Sequence, residues 1–174
     1  MLNPTLQREL FTPGHHLFVI LDGAAAPGLF SQLHRNEPEH VSLYLGELLP
    51  DRAETAPYLV RLERDSRFTQ WLFDQGWGKN WGIFAQVRDR VDMKQVRHHF
   101  RTFLMVEFPG GKSSYFRYYD PRVLADYLPT CDEIEARAVF GPVSAYLIEG
   151  AKQNTALRFT VPKGLPYQET LRLD

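Results

Sequence analysis

Cys131 is the only cysteine in 174 residues, and a lone thiol excludes an intramolecular disulfide framework. Long apolar runs are missing as well. The longest, such as Leu17 to Leu21, fall far short of the ~20 residues that a membrane-spanning helix needs. The opening MLNPTLQREL has neither the basic start nor the apolar core of a secretory signal, so a cytoplasmic protein is expected. An excess of one charge is also lacking: 20 Lys and Arg stand against 21 Asp and Glu, a net charge of -1. Such a chain supplies no bulk field to gather nucleic acid or an anionic membrane, and neither partner is expected. A P-loop, the dinucleotide-binding glycine pattern, His-Glu-x-x-His, Cys-x-x-Cys and a glycine-flanked serine are all absent. No cofactor, metal or catalytic residue is therefore expected from motifs.

What remains suits one domain over residues 1–174, with a core from about 16 to 161. A chain of this length buries roughly two-thirds of its unfolded surface without metal or disulfide staples. HLFVILDG (His16 to Gly23) reads as a buried central strand stopped by Asp-Gly. AAAPGLFSQLHRN, SRFTQWLFDQG, DMKQVRHHFRTFL and CDEIEARAVFG carry helical spacing, with Ser66 and Asp92 as starts. VSLYLGELL, PYLVRLER, WGIFAQV, VSAYLIEG and ALRFTV read as strands, and FLMVEF with SYFRYY as a hairpin across Pro-Gly-Gly. Strands and helices alternate, yet some strands are adjacent in sequence. The expectation is an α/β fold of α+β-like character, with a mixed central β-sheet flanked by helices.

Candidate chemistry is sparse. Asp22 stands where a strand meets a loop, the usual ligand edge of an open sheet; an Asp-Gly turn with the carboxylate accepting backbone N–H groups is the favoured reading. His98 and His99 diverge by ~100° on a helix, which suits solvated residues better than metal ligands. His15 and His16 point to opposite faces of a strand. Cys131 has no neighbouring base. Two readings stay open beside a binding protein. One is a small hydrolase using Asp22, Asp120 and a histidine; the other is a single-strand nucleic-acid module on a Tyr115, Arg117, Tyr119 face, with Trp71, Trp77 and Trp81 as further aromatics.

The densest stretch is SYFRYYDPRVLADYLP, Ser114 to Pro129. Read as a strand to Tyr119, it covers both faces; Asp120 then caps a helix, Pro121 takes its first position, and Arg117 and Arg122 bracket the carboxylate. FRYYDPRVLADYLP resembles the Arg-x-Tyr-Asp-Pro-Arg corner of the adaptor chaperones of the bacterial type VI secretion system, a family long catalogued as a domain of unknown function. VILDGA, Trp71 with WGIF, HHFRTFLMVEFPGGK and FGPV match it in the same order. The resemblance implies a non-enzymatic cytosolic adaptor whose partners are a toxic effector and the secretion spike protein. It further implies a short form lacking the C-terminal lobe of longer members, with a second adaptor as a further partner. The matching positions are Asp22, Trp81, Arg101, Arg117, Asp120, Pro121 and Arg122. For the binding surface two expectations stand open: an exposed sheet edge such as ALRFTV, or an aromatic-lined groove taking an effector helix.

Overall fold

Along His15–Asp22 the apolar side chains divide between two cores: Phe18 and Ile20 enter one, Leu17, Val19 and Leu21 the other. A strand buried on both faces needs a layer above and below it. The computed structural model, which describes residues 3–46 and 48–173, has both layers. In chain order the strands are β1 (His15–Asp22), β2 (His40–Ser42), β3 (Pro57–Leu62), β4 (Gly82–Arg88), β5 (Met105–Phe108), β6 (Lys112–Tyr115), β7 (Val143–Glu149), β8 (Thr155–Thr160) and β9 (Tyr167–Arg172). Seven of them make one sheet in the order β2-β3-β1-β4-β7-β8-β9, while β5 and β6 pair apart from it.

Three helices cover one face: α1 (Pro4–Leu10), α2 (Leu29–Asn36) and α4 (Arg67–Gly76) bury Leu6, Leu10, Leu33, Phe68 and Leu72 there. On the other face α5 (Met93–Thr102), α6 (Pro121–Tyr127) and α7 (Glu133–Phe140) bury Val96, Phe100, Leu124 and Val139. The short α3 (Pro50–Ala53) is held by the Tyr58 hydroxyl, which donates to the Ala53 carbonyl at 2.7 Å. Helix starts follow the capping residues read from sequence. Ser66 accepts from the Thr69 N–H, Asp92 forms a capping box with Gln95, and Asp120 caps α6.

The α+β-like class is present, but the strand directions need correction: every pairing in the large sheet is antiparallel. β3, α4 and β4 do form a strand–helix–strand unit with both strands running the same way. β1 lies between them and pairs antiparallel with each, so alternation along the chain never becomes a parallel ladder.

Four local expectations also change. The expected strand Val41–Leu49 shrinks to β2, and Glu47 within it lies outside the described residues, as do Met1, Leu2 and Asp174. The chain leaves its strand at Tyr115, because Tyr118 and Tyr119 are consecutive and both enter the same core; a strand would send them to opposite faces. ALRFTV is not an edge, since β9 pairs along it. The polar lead-in holds α1, capped by the Asn3 side chain on the Thr5 and Leu6 N–H groups.

Candidate functional site at the sheet end

The C-terminal end of β1 and the N-terminal end of β4 meet at one end of the sheet, where the Asp22 N–H donates to the Trp81 carbonyl at 2.8 Å. Asp22 is buried, and its Oδ1 accepts the Ala24 N–H at 2.9 Å. This is the Asx turn that the Asp-Gly pair suggests. Gly23 and Gly82 permit the close packing, since a Cβ on Gly82 would lie 2.1 Å from the Ile20 carbonyl oxygen.

The corner after β6 comes to the same place. Asp120 Oδ1 accepts the Arg122 N–H at 2.9 Å, and the Arg122 guanidinium closes a two-pronged contact, Nε to Oδ1 at 3.0 Å and Nη2 to Oδ2 at 2.7 Å. Burial pushes the Asp120 carboxyl up, but the hydrogen bonds from Arg122 and from the Val123 N–H outweigh it and hold the group below its ordinary value. Arg117 does not bracket this carboxylate. It turns to the Tyr119 hydroxyl, which burial first and the Asp22 carboxylate second push up to about 12, while Arg117 opposes them.

Asp22, Arg117, Asp120 and Arg122 therefore line one cleft of about 200 Å³, together with Lys79 and Asn80. It runs into a larger groove of about 710 Å³ that shares Asn80 and Arg122 and continues past Trp77, Glu149 and the β7–β8 turn. Glu149 fixes this junction: its Oε2 accepts the Asn80 N–H at 3.0 Å, and the Gly78 N–H also reaches the carboxylate. Burial raises the Glu149 carboxyl despite those bonds.

Trp81 and Arg101 stand apart from the cleft lining. Trp81 is buried against Trp71, ring centroids 5.5 Å apart, and carries Lys79 Nζ 5.3 Å from its own ring centre. Arg101 donates to the carbonyls of Leu43 at 3.0 Å, Ser42 at 3.5 Å and Tyr44. It ties α5 to the loop after β2, which leaves the Tyr44 ring against Tyr115 at 5.4 Å.

The histidines do not join the acids. Among the described residues none of them lines either the cleft or the groove, and His15 and His16 begin β1 at its far end. His99 is a correction: it is buried, with Nε2 against the Val139 carbonyl at 2.9 Å, and burial lowers it to about 4. Its ring packs on Phe100 and Phe103, because the apolar side of α5 includes this position. No three His, Cys, Asp or Glu side chains among the described residues gather as metal ligands would. Burial raises the Cys131 thiol, whose Sγ faces the Tyr127 carbonyl at 3.7 Å. The shared Tyr115, Arg117, Tyr119 face does not form either, since Tyr115 is exposed and Tyr119 buried.

Residues 17–138 match the model of a family described as a domain of unknown function, DUF4123. The chain belongs to this family. No curated protein and no solved structure matches it. The DUF4123 match begins in β1 and ends in α7, so it takes in all eight residues of the smaller cleft but not the β7–β8 wall of the larger groove. The FGPV stretch, Phe140 to Val143, lies beyond it. Lys79, Asn80 and Glu149 of this DUF4123 chain escaped the reading of motifs; the Gly-Lys-Asn turn before a strand was the available signal. Among the described residues no helix is long and apolar enough to cross a membrane.

Proposed function

We propose that this DUF4123 protein is a non-enzymatic adaptor that binds a type VI secretion effector in the cytoplasm and loads it onto the spike protein. The observation that carries this reading is the ordered set of adaptor-like motifs, from VILDGA to the Asp-Pro-Arg corner, inside the family match. The convergence of Asp22, Arg117, Asp120 and Arg122 on one cleft supports it. Both carboxylates there are already engaged, Asp22 by a backbone N–H and Asp120 by Arg122, an arrangement suited to a fixed recognition surface. A contact surface is available beside it. Leu45, Met105 and Tyr115 are exposed around the half-buried Tyr44, with Leu49 exposed at the start of α3, and exposed apolar groups of this size are common where partners dock.

Co-expression with a type VI secretion effector tests the reading. A complex that survives size-exclusion chromatography at low salt is expected. Separate elution of the two chains at micromolar concentration would remove its basis.

A further inference from the structure

The groove at the sheet end crosses the termini of β1, β4, β7 and β8, four neighbouring strands. Strands lie about 4.8 Å apart, so the groove is about 14 Å long. An extended chain advances about 3.3 Å per residue, and about four residues fit. Small residues line much of it, Ala125, Gly150 and Ala151 in the larger part and Ala24 and Ala25 in the smaller. They leave room for a peptide backbone to approach the protein backbone closely. The walls are fixed from within by Glu149 on the Gly78 and Asn80 N–H groups, so little ordering cost remains for binding.

Charge is unequal along its length. In the larger part Lys152 stands against Asp126 and Glu149, because the Arg122 that also lines it is held by Asp120. The smaller cleft has Lys79, Arg117 and Arg122 against Asp22 and Asp120. Arg122 is committed to Asp120 and Asp22 accepts the Ala24 N–H. Lys79 and Arg117 are exposed, and their contacts, the Trp81 ring and the Tyr119 hydroxyl, are not carboxylates.

We propose that this groove binds an extended peptide segment of a client protein that carries one carboxylate, taken by Lys79 and Arg117, with its backbone lying along the small residues toward the β7–β8 turn. The client is the one assigned under the adaptor reading, on which this inference rests. A nucleic-acid strand is the poorer occupant, because Glu149 and Asp126 face the path of its phosphates.

The experiment has two arms. In the first, effector affinity is measured for the wild type, for Lys79→Glu with Arg117→Glu, for Ala151→Trp and for the distant control Lys163→Glu, each with a melting curve. At least tenfold weaker binding by the double reversal and by Ala151→Trp, at unchanged melting temperature and with the control unaffected, is expected. Arg117→Lys should retain most of the affinity. In the second arm, amide resonances are followed while capped hexapeptides bearing one Glu, their Gln counterparts and a dT oligonucleotide are added. Shifts at 78–80, 117–122 and 149–155 with the Glu peptides, and weaker ones with the Gln peptides, are expected. If the effector binds wild type and variants within twofold of each other, the groove proposal falls while the adaptor reading stands. If the effector fails to bind but the Glu peptides shift the groove, the adaptor reading falls and the groove stands. Shifts with dT alone, or with no ligand, overturn the proposal.

Discussion

Asp120 both caps a helix and lines the cleft. Its side chain caps α6 and grips Arg122, whose side chain is 73% exposed. A cap is worth about 1 kcal/mol, while the contact with so exposed a partner is screened by solvent. Asp120→Ala should therefore lower stability by about 1 kcal/mol in a denaturant titration, with the slope unchanged. The second residue-scale consequence belongs to His99. It is neutral in the fold with a value of about 4, whereas the unfolded imidazole takes a proton near pH 6.5. Its contribution is complete above pH 6.5 and is lost as pH falls from there toward 4, about 3 kcal/mol in all. Melting curves at pH 7.5, 5.5 and 4.5 should show that decline, and His99→Gln should flatten the part that the imidazole carries.

Among the elements, α1 is held at its C-terminal end by a buried polar side chain. Gln86, on β4, points its Nε2 amide at three acceptors that share its two hydrogens: the Glu9 carbonyl at 2.6 Å, the Leu10 carbonyl at 3.0 Å and Thr12 Oγ1 at 2.9 Å. It satisfies the carbonyls that a helix end leaves unpaired. Gln86→Leu should cost about 1–3 kcal/mol and speed hydrogen exchange over Pro4–Leu10 more than in the central strands. The reason α1 was not legible in the sequence lies here too. Seven residues with Leu6 and Leu10 as the only buried apolar positions carry little periodicity, and the groups that hold them come from far along the chain. β9 was missed for a related reason: five of its six residues are exposed, so it lacks the alternation that marks a half-buried strand. The elements with buried faces, β1, α4, α5 and β7, were legible because burial imposes their spacing.

For the whole molecule, the two-core sandwich places chemistry at the sheet end, and this was only partly readable. The corner motif identified a helix start and its cap, and those are present, whereas the strand before it stops at Tyr115. That Asp22, 98 positions earlier in the chain, shares a cleft with Asp120 depends on β1 running between β3 and β4, which no local pattern encodes. The same topology leaves β9 as one free edge and the three-residue β2 as the other. β9 has no proline within it to block pairing, so a partner that adds a strand has one long edge to use. Changing Thr170 to Pro would remove a backbone donor there and should leave groove binding intact if the client segment lies at the strand ends.

The proposed role, joining an effector to the spike, is checked by capture of the purified effector on immobilised spike protein. With this protein added, the effector should be retained together with it; without it, retention should fall to background. Equal capture of the effector in its absence, or none in its presence, would contradict the account.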